Sequence, residues 1–124
     1  MDDKAYRQWV EAYVKAWNTN DPSDIGRLFA PDAVYLTEPY ARPWQGREEI
    51  VTQWLEAKDE PEDTEFAYEL IAATDAIGIV KGNTLYKSTG RKYSNLWEIR
   101  LDDHGACKEF VEWWMKQEPS AAQD

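Results

Sequence analysis

Residues 108–116 read KEFVEWWMK, and the chemistry open to this chain is concentrated there. An extended segment sends alternate side chains to opposite faces. Phe110, Glu112 and Trp114 therefore share one face, and Val111, Trp113 and Met115 share the other. Both faces are apolar, and a single carboxylate interrupts one of them. In KYSNLWEIRL, residues 92–101, the same rule puts Tyr93, Asn95, Trp97, Ile99 and Leu101 on one face. A carboxylate stripped of water holds its proton to higher pH, which makes it a general acid or base near neutrality. Glu112 has that chemistry if its face is enclosed. If instead it only bonds Asn95 or a backbone amide, it fixes a wall.

Other chemistries find few candidates. The one histidine, His104, sits in DDHG, a turn pattern, so no histidine–aspartate dyad is expected. The one cysteine, Cys107, begins the last strand with no histidine nearby, which argues against a nucleophile and leaves no internal disulfide. One histidine and one cysteine are not a metal cluster, and no glycine-rich phosphate loop is present. No metal and no cofactor are expected.

A chain of 124 residues is one domain by its length, here 1–116, with QEPSAAQD (117–124) reading as a frayed tail. The net charge of −10 disfavours nucleic acid and anionic membranes. No apolar run approaches a membrane span, and MDDKAYRQW lacks the basic and apolar parts of a signal peptide. A soluble, cytoplasmic protein is expected. Seven tryptophans and seven tyrosines ask for a packed interior or an aromatic-lined cavity.

The elements that must position these groups follow from periodicity. Tyr6, Trp9, Val10, Tyr13, Val14 and Trp17 make a helical stripe, which NTND stops. Asp21-Pro22 reads as a cap and first position of a short helix with Ile25, Leu28 and Phe29 inside. DAVYLTE (32–38) reads as a strand, and REEIVTQWLEAK (47–58) as a third helix burying Ile50, Val51, Trp54 and Leu55. PYARPWQG between them is irregular, and its Trp44 either covers a cavity mouth or pins the loop. After the acidic loop DEPEDTE come four long strands, with Gly78 and Gly82 as expected bulge or bend points. Segregated helices and antiparallel strands mean α+β.

AYVKAWNTNDPSDIGRLFAPDAVYLTEP, then GREEI and the strand meander, resembles the nuclear transport factor two-like superfamily. The likeness runs from Tyr6 to Met115 and is most specific at LFAPDAV, QGREEI, SNLWEIRLDDHG and EFVEWW. It is nearest to SnoaL-like polyketide cyclases and ketosteroid isomerases. The resemblance implies three helices packed on a curved antiparallel sheet, a cystatin-like α+β barrel with a cone-shaped cavity. It also implies a homodimer through the outer sheet face, where Leu96, Val111, Trp113 and Met115 make an apolar patch.

The same resemblance puts the Asn95/Trp97 and Phe110/Glu112/Trp114 faces inside the cavity. Tyr13 matches the helical tyrosine that donates to an oxyanion in ketosteroid isomerases. Glu38, before Pro39, matches the base, although this stretch is one residue longer and one step reverses strand facing. The position of the second, protonated acid falls at Trp97, whose indole cannot play that part. The expected site is Glu112, Glu38, Tyr13 and Asn95 for chemistry. Trp17, Trp54, Trp97, Phe110 and Trp114 are expected to hold a small apolar organic molecule. The superfamily holds isomerases, cyclases and dehydratases and also non-catalytic binding domains, so the reading stays open between a cofactor-independent acid–base enzyme and a ligand-binding or dimerisation domain.

Overall fold

The computed structural model describes residues 2–117. Its elements are α1 (Asp3–Thr19), α2 (Pro22–Arg27), β1 (Phe29–Leu36), β2 (Trp44–Gln45), α3 (Arg47–Ala57), β3 (Thr64–Ala73), β4 (Gly78–Tyr86), β5 (Lys92–Leu101) and β6 (Cys107–Lys116). Local chemistry sets the helix ends. The Asp2 carboxylate accepts from the Ala5 N–H at 3.0 Å and starts α1. Asn20 closes α1 in the left-handed region, φ 53°, with its N–H donated to the Ala16 carbonyl. Asp21 then caps α2 through the Ser23 N–H at 2.7 Å, with Pro22 at the first helical position.

Phe29 does not extend α2 as its apolar spacing suggests. It opens β1, because β6 captures the backbone there: Phe29 pairs with Cys107, and the Leu28 carbonyl accepts the Cys107 N–H at 2.7 Å. β2, a two-residue strand inside the segment expected to be irregular, pairs antiparallel with β1 at Tyr35–Trp44 and Val34–Gln45.

The six strands form one sheet in the order β2-β1-β6-β5-β4-β3. It is not wholly antiparallel, since β1 runs parallel to β6. It is also not a closed barrel: β2 and β3 are its two edges. Register shifts that bend it fall between Leu70 and Ala72, between Arg100 and Leu101, and between Phe29 and Val34.

Gly78 and Gly82 are not those bend points. Both pair in register, and both make room for rings. A Cβ on Gly78 would lie 2.3 Å from the Tyr6 ring, and one on Gly82 would lie 2.5 Å from the Phe66 ring. The core forms between helices and sheet: Tyr6, Trp9, Val10 and Tyr13 of α1 with Ile50 and Trp54 of α3 meet Val80, Trp97, Ile99 and Phe110. Gln117, expected at the start of the tail, is tied to the sheet: its N–H reaches the Lys92 carbonyl at 2.9 Å and its amide reaches Asn83 and Ser94. Residues 118–124, the rest of the expected tail, lie outside the described residues.

Candidate functional site

A cavity of about 330 Å³ lies between the helices and the inner face of the sheet, at the small end of ligand pockets, which span roughly 300–1,000 Å³. α1 contributes Tyr13 and Trp17, and α3 contributes Trp54. β5 and β6 contribute Asn95, Trp97, Glu112 and Trp114. The register explains the grouping: Trp97 is opposite Glu112, and Asn95 is opposite Trp114. Strand alternation on β5 and β6 and the helical faces of α1 and α3 together bring seven of the nine expected residues to one cavity.

The other two are placed elsewhere. Phe110 is fully buried beneath the cavity floor, stacked on Tyr13 at 5.5 Å and edge-on to Trp97 at 5.3 Å. It supports the wall without lining it. Glu38 is exposed in the bend after β1 and does not line the cavity. Tyr35 and Thr37 line it instead, so the step to residue 38 turns the side chain away.

Glu112 ends a chain of side chains across three strands. The Thr84 hydroxyl donates to Asn95 Oδ1 at 2.8 Å. That bond turns the Asn95 amide nitrogen to Glu112 Oε2, 2.5 Å away. The Trp97 indole N–H donates to the same oxygen at 3.2 Å. Both donors thus fall on Oε2, and among the described residues none reaches Oε1. Burial raises the Glu112 pKa above the usual carboxylate value; the two bonds pull it back in part, and repulsion from Asp59 adds to the rise. Desolvation is the largest of these effects, so the carboxylate is poised to hold a proton.

Beside it the Tyr13 and Tyr35 hydroxyls meet at 2.8 Å, both buried. Burial is the main reason their pKa values rise, so both stay protonated. Two hydroxyls share one hydrogen in their mutual bond, which leaves the second hydrogen for another acceptor. Rings hold the pair in place: Tyr13 packs on Trp97 at 4.7 Å and on Trp54 at 5.0 Å, and Tyr35 stacks on Trp44 at 4.8 Å. Trp44 therefore does more than pin its loop, since it lines the cavity.

Asp59 was hidden in the sequence. It lines the cavity just past α3, and its Oδ2 accepts the Trp17 indole N–H at 2.8 Å and the Tyr86 hydroxyl at 3.4 Å. The Asn20 amide holds its backbone carbonyl at 3.0 Å, linking the α1 cap to the cavity rim. No periodicity marks a loop residue among four other acids. Tyr35 and Tyr86 had a weak signal, as inward positions on strands whose alternation was legible.

The arrangement offers a desolvated carboxylate, a hydroxyl donor and a lining of aromatic rings. His104 is exposed in the turn after β5, and Cys107 is buried with its pKa pushed up to about 12 by desolvation. Among the described residues no helix is long and apolar enough to cross a membrane.

A family model described as SnoaL-like domain matches residues 10–118. No curated protein matches the sequence. Among solved structures, a protein of unknown function with a cystatin-like fold from Methylobium petroleophilum is 16% identical with a TM-score of 0.73, covering 100% of this chain and 84% of that one. A nuclear transport factor two-like protein from Mesorhizobium loti is 20% identical, TM-score 0.69, over 93% of this chain and 96% of that one. A protein from Kribbella flavida, provisionally described as a ketosteroid isomerase, is 16% identical, TM-score 0.70, over 93% and 81%. At these identities the likeness is one of fold.

Proposed function

The chain belongs to the SnoaL-like domain family, and from that premise we propose that it is a cofactor-independent acid–base enzyme acting on a small, mainly apolar organic molecule that bears a carbonyl. Glu112 takes a proton from the carbon next to the carbonyl, becoming a neutral acid while the substrate becomes an enolate. The free hydrogen of the Tyr13–Tyr35 pair bonds the enolate oxygen. Glu112 then returns its proton to carbon, which completes an isomerisation or prepares a ring closure or loss of water. Asn95 and Trp97 position the carboxylate, and Trp17, Trp54 and Trp114 enclose the apolar body. Glu38 has no part.

The observation that carries the reading is the asymmetry at Glu112: Oε2 is fixed by two wall donors, and Oε1 is left for chemistry. The same two bonds favour a second reading, a non-catalytic binding domain in which Glu112 only braces the wall. The test separates them. 2-Tetralone, a flat apolar ketone, is incubated in deuterated buffer with the protein, and loss of its α-hydrogen signal is followed by NMR. The wild type is expected to speed exchange, and Glu112→Gln to lose on the order of 10²-fold or more of that effect. Exchange that rises with pH through the raised Glu112 pKa identifies the ionised form as the base. Equal exchange in both proteins sinks the acid–base reading.

The assembly proposed with it is a two-fold homodimer through the outer sheet face. Leu96, Trp113 and Met115 are exposed there, Met115 by 71%, and Val111 lies beside them.

A further inference from the structure

The ring-lined cavity holds two carboxylates of like design. Asp59 takes two donors on Oδ2, from Trp17 and Tyr86, and Glu112 takes two on Oε2, from Asn95 and Trp97. In each case the second oxygen receives no donor among the described residues. An indole N–H holds each acid, and a run of ring contacts joins the two holders: Trp17 on Tyr13 at 5.9 Å, and Tyr13 on Trp97 at 4.7 Å. Nine of the sixteen lining residues are aromatic. The one basic lining residue, Lys58, is exposed where the chain leaves α3, so water screens its charge.

Ring faces are negative and attract cations, more strongly when water is excluded. Indoles that donate to carboxylates carry still more electron density on their faces. A neutral ligand leaves the half-buried Asp59 carboxylate uncompensated, and an anion is repelled by it. The net charge of −10 also draws cations toward the mouth.

We propose that the molecule bound in this cavity carries a protonated amine on its apolar body, and that Asp59 receives the ammonium group against the faces of Trp17 and Tyr13, which leaves Glu112 Oε1 free for the carbon centre. This rests on the reading of the cavity as a ligand site and narrows its substrate class. Asp59 anchors the cation and takes no part in the proton transfer at carbon.

Three probes of one shape test it on the whole chain: 2-phenylethylamine, a cation at pH 7; 2-phenylethanol, neutral; and phenylacetate, an anion. Calorimetric titration is expected to rank them in that order, with the amine about tenfold or more ahead of the alcohol. Asp59→Asn keeps an oxygen for Trp17 and Tyr86 but removes the charge. It is expected to erase most of the amine's lead and to leave the alcohol's affinity in place. Because the amine-to-alcohol ratio is taken within one protein, partial loss of fold does not mimic the effect. The proposal is overturned if the alcohol or phenylacetate binds as tightly as the amine, if the amine shows no binding at millimolar concentration, or if Asp59→Asn leaves the ratio unchanged. The exchange assay uses a neutral ketone. Loss of the amine preference with Glu112-dependent exchange intact therefore sinks this inference alone. Loss of that exchange with the preference intact sinks only the acid–base reading.

Discussion

Replacing Glu112 by Gln changes stability in a way that depends on pH, and the structure fixes the sign. The glutamine oxygen takes the place of Oε2 and accepts from both Asn95 and Trp97. Its amide nitrogen takes the place of Oε1, where no described donor is displaced. The variant therefore keeps shape and bonds and loses only the desolvated charge. Below the unfolded carboxylate pKa, near 4.3, wild-type Glu112 is neutral in both states and the two proteins are about equally stable. Between that value and the raised folded pKa, the folded protein binds more protons than the unfolded chain, so wild-type stability falls as pH rises. Each unit of upward shift costs the wild type about 1.4 kcal/mol relative to Glu112→Gln, or about 4 °C in melting temperature per kcal/mol. All other titrating groups are shared and cancel in the difference. Urea unfolding of both proteins from pH 4 to pH 8.5 is expected to give curves that start together and separate, with the variant ahead at high pH. If the wild type is instead the more stable at pH 8, the charged bonds from Asn95 and Trp97 outweigh burial. Glu112 is then a brace, and the argument for a poised carboxylate fails.

Two further outcomes probe the fold and the assembly. Gly78→Ala forces a methyl into the Tyr6 ring and is expected to cost about 1–3 kcal/mol of unfolding free energy; pairing it with Tyr6→Leu should recover part of that loss, and strictly additive losses in the double variant count against the close approach. Trp113→Glu, on the outer face beside Glu98, whose carboxylate already accepts the Trp113 indole N–H at 2.6 Å, is expected to shift light-scattering mass from dimer to monomer or aggregate; a wild-type monomer at micromolar concentration refutes the proposed interface.

Residues in long strands and amphipathic helices were legible because their side chains obey a period. Alternation alone put Asn95, Trp97, Glu112 and Trp114 on faces that the register then joined, and the helical stripe found Tyr13 and Trp17. Legibility ended where periods end. Asp59 follows the last turn of α3 and reaches the cavity because of the path of a loop, which no local pattern encodes. Glu38 shared the apolar-to-polar rhythm of β1 but sat one step out of phase with Tyr35 and Thr37. The two strand glycines read as bulge or bend points, yet their role depends on rings more than a dozen residues away in sequence, Tyr6 for Gly78 and Phe66 for Gly82. The parallel seat of β1 beside β6 was equally invisible, since strand order depends on contacts between distant segments.

That seat bears on how the protein reaches its fold. β6 lies in the middle of the sheet, between β1 and β5, although it is the final strand of the described chain. Tyr35 and Phe110 are partners about 75 residues apart, and so long a loop must close before their contact returns any free energy. Until β6 docks, β1 has only the two residues of β2 beside it, and its inner residues Ala33 and Tyr35 have no floor. Any state in which α1 to β5 form before β6 docks presents a bare strand edge and an open aromatic trough at once, a surface prone to self-association. Refolding yield is expected to fall steeply with protein concentration, and segments that pair with β1 in place of β6 are the ones that should trap it.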